Sequence, residues 1–89
     1  MQLQYILGDL MTEVKIIYCS PSGFATQAKE LQNLITDEFK NVKVKLEKGD
    51  KGIFDVYLEE KKIFSRFKEK GFPDFDKMKE KILDATEEM

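Results

Sequence analysis

The chain has 89 residues, a formal net charge of −2 and 42% apolar side chains, which is one globular domain's worth and too little for two independent cores. Acids and bases interleave, so no basic field invites nucleic acid; even the stretch from Lys40 to Lys51 carries Glu47 and Asp50 and reads as a solvated face. With no histidine and one cysteine, Ser-His-Asp and Cys-His catalysis, a structural zinc site and an internal disulfide are all excluded.

Met1 to Glu13 reads as an N-terminal extension, and residues 14–89 as the domain. The extension carries Asp9 and lacks a basic start, unlike a secretory signal. No apolar run reaches the roughly 20 residues that span a bilayer, so no membrane partner is expected. A lone cysteine suits a reducing compartment, and the expected localisation is cytoplasmic.

Val14 to Tyr18 is β-branched and apolar, the composition of a central strand. Cys19-Ser20-Pro21-Ser22-Gly23 follows. Ser20 is a good helix cap and Pro21 suits a first helical position, where a missing N–H costs nothing. Phe24, Ala28, Leu31, Ile35 and Phe39 then fall on one stripe of a helix, with Gln27, Lys29, Glu30, Gln32 and Asn33 mostly opposite. Val42, Val44 and Leu46 alternate with Lys43, Lys45 and Glu47, as in a half-buried strand. Gly49-Asp50-Lys51-Gly52 is a turn. Phe54, Val56 and Leu58 mark a third strand. Glu59-Glu60-Lys61 connects it to a fourth over Lys62 to Phe67, completing a hairpin without a glycine in its turn. Gly71-Phe72-Pro73 ends the sheet. Asp74 caps a last helix whose stripe is Phe75, Met78, Ile82, Ala85 and Met89.

The order β-α-β-β-β-α predicts an α/β, two-layer sandwich. A right-handed crossover makes the first two strands parallel neighbours and the hairpin adds antiparallel ones, so the mixed four-stranded sheet runs 2-1-3-4. Only two helices are available, and both belong on one face, leaving Lys43, Lys45 and Tyr57 on an open one. Ile16, Phe24, Leu31, Val44, Phe54, Val56 and Ile82 are the expected core.

Cys19 is the one chemical signal. At the start of a helix, unpaired N–H groups and a partial positive charge favour thiolate over thiol, and thiolate is the nucleophile of disulfide exchange. Cys19 is expected to be at least partly accessible. Three residues on stands Ser22, whose hydroxyl can bond to the thiolate but cannot close a disulfide with it. Gly23 allows either a partner's close approach or tight local packing. Phe54, Phe64, Phe67 and Phe75 read as core, whereas Phe72, in a Gly-Phe-Pro loop, is the aromatic to look for at the surface.

The segment Ile17-Tyr18-Cys19-x-x-Ser22-Gly23-Phe24, with Ala28, Leu31, Leu34 and Phe39 downstream, resembles the selenoprotein W-related (Rdx) family. So do Gly52-x-Phe54-Asp55-Val56, Lys62-Ile63-Phe64-Ser65-Arg66 and Gly71-Phe72-Pro73. The resemblance spans Val14 to about Leu83. It implies a thioredoxin-like fold and a redox role built on a C-x-x-C or C-x-x-selenocysteine motif. Ser22 departs from that motif, so the dithiol or selenenylsulfide cycle does not carry over. The hairpin turn also lacks the glycine common in the family. The prolines here are Pro21 and Pro73, neither placed to act as the cis-proline clamp of larger thioredoxins.

Two functional expectations follow. In the first, Cys19 acts alone, assisted by Ser22, forming a mixed disulfide with glutathione or a protein partner, and an external thiol releases it. Ser20, Pro21, Gly23 and Phe72 would form the binding loop, with no cofactor beyond glutathione as co-substrate. In the second, the domain is a non-catalytic interaction module that binds protein through the Cys19 and Phe72 loops or the open sheet face.

Overall fold

The computed structural model describes residues 12–87, with side chains through residue 84. In chain order the elements are β1 (Thr12–Cys19), α1 (Ala25–Glu38), β2 (Val42–Gly49), β3 (Phe54–Leu58), β4 (Lys61–Ser65), α2 (Arg66–Glu69) and α3 (Phe75–Glu87). The sheet order is β2-β1-β3-β4, as the crossover argument requires. β1 runs parallel to β2, from Thr12 opposite Val42 to Cys19 opposite Gly49. It runs antiparallel to β3, from Val14 opposite Leu58 to Tyr18 opposite Phe54.

This register aims Val14, Ile16, Phe54, Val56 and Leu58 at one layer of helices. There they meet Ala28, Leu31 and Ile35 of α1 and Met78 and Ile82 of α3 in one cluster. Each large aliphatic or aromatic side chain buried there contributes about 1.5–3 kcal/mol. Of the seven expected core residues, Ile16, Leu31, Phe54, Val56 and Ile82 are buried, while Phe24 and Val44 are half-buried. Val44 lies on an edge strand, and Phe24 precedes the helix rather than lying within it. Lys43 and Lys45 are exposed and Tyr57 half-buried. The side chain of Ala85 and the whole of Met89 lie outside the described residues.

β2 continues past Glu47 to Gly49, which was expected in the turn, and three further boundaries differ from the sequence reading. β1 opens at Thr12, whose N–H bonds to Asn41 O (3.1 Å), so Thr12 and Glu13 belong to the sheet rather than to the extension. Residues 1–11 lie outside the described residues. The first helix begins at Ala25, and Ser20 and Pro21 sit in a turn. The cause is local: Gly23 takes φ +81°, a left-handed value that no right-handed helix accommodates. Its N–H closes onto Ser20 O (2.9 Å) and that of Phe24 onto Cys19 O (3.3 Å), so the loop satisfies its own backbone.

The third difference is β4, which ends at Ser65 instead of reaching Phe67. A bulge opposite Val56/Tyr57 leaves Ile63 as the extra residue, so Ile63, Phe64 and Ser65 are buried in succession. Lys81 Nζ donates to Ile63 O (2.8 Å), tying α3 to the bulge. Arg66 and Phe67 then turn into α2, closed by Lys70 at φ 57° with its N–H on Arg66 O (2.8 Å). Phe67, expected in the core, is therefore 58% exposed.

Candidate functional site

Cys19 is the last residue of β1, held on both sides by backbone bonds. Its N–H donates to Ile53 O (2.9 Å), and its C=O accepts from Phe24 N–H (3.3 Å). The chain leaves the strand and folds back over the side chain. Cys19 is only 3% exposed, although Ser20, Pro21, Ser22 and Gly23 around it are all exposed. The partial accessibility expected from sequence is thus corrected: Cys19 is buried where the strand passes into the turn.

Ser22 Oγ lies 3.0 Å from Cys19 Sγ. That hydroxyl is the principal reason the thiol titrates below its ordinary value. The Gly52 N–H adds to the effect, burial opposes it, the Ser22 N–H adds again, and the Asp50 carboxylate opposes it as a like charge. The acidity therefore comes from donors on two loops. The helix terminus invoked from sequence is displaced to Ala25.

An aromatic cluster flanks the turn. Phe24 meets Phe72 edge-on at 5.0 Å and Phe54 at 6.4 Å, while Phe54 and Phe72 meet at 5.2 Å. Phe72 keeps 42% of its surface exposed, and it reaches the thiol loop through Phe24, the residue after Gly23. The Arg66 guanidinium lies over the Phe24 ring at 5.0 Å and the Phe67 ring at 5.9 Å, and its Nη1 donates to Gly52 O (3.2 Å). Arg66 thus joins the two segments that enclose the thiol.

The structure brings Cys19, Ser20, Pro21, Ser22 and Gly23 into one turn and sets Phe72 at its aromatic flank. Sequence reasoning passed over Gly52, Asp50 and Arg66, which lie far away along the chain and reach the site only through the sheet register. Arg66 did carry a signal: it is the sole arginine of the chain. Among the described residues no group of three or more acidic or cysteine side chains could hold a metal ion, and no helix is long and apolar enough to cross a membrane.

The sequence model of the Rdx family matches residues 13–84. Migration and invasion enhancer 1 of Mus musculus is 27% identical over 60 residues, covering 67% of this chain and 52% of its own length. Its Bos taurus counterpart is 25% identical with the same coverage. The chain spans about half the length of these curated relatives. A selenoprotein W-related protein from Vibrio cholerae superposes with a TM-score of 0.81 at 22% identity, covering 84% of this chain and 96% of that one. A Bordetella parapertussis protein gives 0.76 at 22% identity, covering 83% and 96%. At such identities these two structures speak to the fold, and they share it.

Proposed function

This chain belongs to the Rdx family, and from that premise we propose that it is a one-thiol redox protein acting through Cys19, with glutathione or a protein disulfide as its partner. The observation that carries the reading is the Ser22 hydroxyl at 3.0 Å from Sγ, which favours the thiolate. The thiolate attacks one sulfur of a disulfide, a new S–S bond forms to Cys19, and the other sulfur leaves as a thiolate that takes a proton from water. Ser22 cannot displace the bound partner. A second external thiol therefore attacks the mixed disulfide, carries away its partner sulfur and returns Cys19 as thiolate. Because Cys19 is buried, an incoming disulfide has little access to it. The reaction is expected to be slower than that of an open thiol of equal acidity.

The test is incubation with oxidised glutathione near neutral pH, followed by intact mass. One glutathione should add, and Cys19→Ser should abolish the adduct. A native wild-type protein that stays unmodified, while the urea-unfolded chain reacts, would refute the redox reading. That result would favour the second one, a non-catalytic module that binds protein. The observation behind the second reading is the exposure of Phe67 and Phe72, 58% and 42%, on the flank of the turn.

A further inference from the structure

We propose that Arg66 is the anion-recognition residue of this thiol: it takes a carboxylate of the incoming disulfide, so that Cys19 reacts preferentially with carboxylate-bearing disulfides over neutral ones. The inference rests on the one-thiol reading above and names the substrate class for it.

The guanidinium has five N–H donors, and the described residues engage only Nη1, on Gly52 O. Four lysines, Lys15, Lys45, Lys62 and Lys79, each have a carboxylate oxygen within 4.0 Å. Arg66, half-buried, has none among the described residues. A half-buried guanidinium is incompletely solvated, and a planar carboxylate that accepts two of its N–H groups is its best-matched partner. The group is also held in place beforehand. The Phe24 and Phe67 rings pack on it and the bond to Gly52 O fixes its position, so little rotamer freedom remains to be lost on binding.

Two adjacent carbonyls tie Arg66 to the thiol-bearing residue: Gly52 O accepts from Arg66 Nη1 (3.2 Å) and Ile53 O accepts the Cys19 N–H (2.9 Å). In glutathione the glycyl carboxylate lies about one residue beyond the cysteinyl unit and the γ-linked glutamyl carboxylate about two, on the order of 3.5 to 7 Å of extended chain. A glutathionyl sulfur bonded to Cys19 therefore brings two carboxylates, on arms of different length, to the loops around the thiol. Local charge points the same way. The loop over residues 48–52 carries two lysines against one aspartate, and residues 66–70 carry Arg66 and two lysines against one glutamate. Both segments are cationic in a chain of formal charge −2.

The step is the exchange already written: Cys19 thiolate plus oxidised glutathione gives the mixed disulfide and one glutathione thiolate, with Arg66 engaging a carboxylate and changing no bond. The experiment compares second-order rates of adduct formation by oxidised glutathione and by neutral hydroxyethyl disulfide, in wild type, Arg66→Gln and Arg66→Lys. The glutathione-to-neutral rate ratio should fall roughly tenfold in Arg66→Gln and by less in Arg66→Lys. Using the ratio removes any change in thiol acidity or access, since both disulfides meet the same thiolate. In wild type alone the ratio should also decline with rising ionic strength, which keeps the test available should Arg66→Gln fold poorly. A ratio unchanged by substitution, or flat with salt, overturns the proposal: Arg66 then only holds the two loops together. A native wild type inert to both disulfides overturns the redox reading itself, and this inference with it.

Discussion

Gly49→Ala tests how tightly the thiol loop is built. Gly49 ends β2 directly opposite Cys19, and a Cβ there would stand 2.6 Å from Ile53 Cγ2 and 2.8 Å from Ile17 Cγ2. Both atoms are branch methyls of isoleucine, whose χ1 is stiff, so neither can swing aside as the tip of a longer side chain would. Either the end of β2 or the Asp50–Ile53 loop must move. Overpacking of this kind costs about 1–3 kcal/mol, and at about 4–8 °C per kcal/mol for a domain of this size the melting midpoint should drop by roughly 4–24 °C. The same displacement should loosen the thiolate's surroundings, because Ile53 O holds the Cys19 N–H and Gly52 N–H serves the sulfur. Thermal melts by circular dichroism read the first effect, and the pH profile of iodoacetamide alkylation the second. Gly23→Ala is the contrast: no atom lies within 4 Å of its added Cβ, so any loss comes from φ +81° alone, about 1–2 kcal/mol. In a double-mutant cycle, Ile53→Ala should relieve part of the Gly49→Ala penalty. Simple additivity of the two, or a Gly49→Ala melt within experimental error of wild type, would refute the steric argument.

Three further outcomes follow. Ser22→Ala removes the largest contribution to thiol acidity, so alkylation should slow at neutral pH and converge with wild type in alkali, where both thiols are ionised. With the folded value below the unfolded one, the thiolate's contribution to stability is present above the unfolded value and lost as pH falls through the folded value; urea midpoints of Ser22→Ala and wild type should therefore differ in alkali and merge in acid. Ser22→Cys should close an internal disulfide with Cys19 on oxidation, read as the loss of two hydrogens by mass, since the two side-chain tips already stand 3.0 Å apart; a dithiol that stays reduced would show that the turn lacks thioredoxin-like geometry. Ile82→Ala, at 0% exposure beneath the sheet, should lower stability by about 2–5 kcal/mol in urea unfolding, and a near-neutral result would mean that α3 does not share the core.

Periodic features were legible in the sequence, and features that depend on a single backbone angle were not. Val14 and Ile16, or Phe54 and Val56, announce strands because alternation is dictated by the pleat, and the 2-1-3-4 order follows from handedness and hairpin closure. Ser20-Pro21, by contrast, is equally good chemistry for a helix start and for a turn. The decision falls to Gly23, whose left-handed φ delays the helix to Ala25. Arg66 and Phe67 continue the alternation of β4 on paper, but the bulge at Ile63 ends that phase and sends them into α2. At the site, Cys19 and Ser22 were readable because they are local to each other. Gly52, Asp50 and Arg66 became part of it only once β1, β3 and β4 were in register.

The displacement of the helix start to Ala25 changes what Ser22 means for the proposed chemistry. Had a helix terminus supplied the acidity, Ser22 would be a bystander beside the thiol. In this structure its hydroxyl, 3.0 Å from Sγ, is the leading cause of the thiol's lowered titration. A hydroxyl keeps the stabilisation of the thiolate while removing the group that would expel a bound partner from within. A mixed disulfide on Cys19 would then persist until an outside thiol reached it. Reaching it means passing the exposed turn of Ser20 to Gly23 and the flank formed by Phe72 and Arg66. On the one-thiol reading, specificity at both the loading and the release step therefore resides in that flank, and substitutions at Phe72 and Arg66 should alter which thiols act while leaving the acidity set by Ser22 in place.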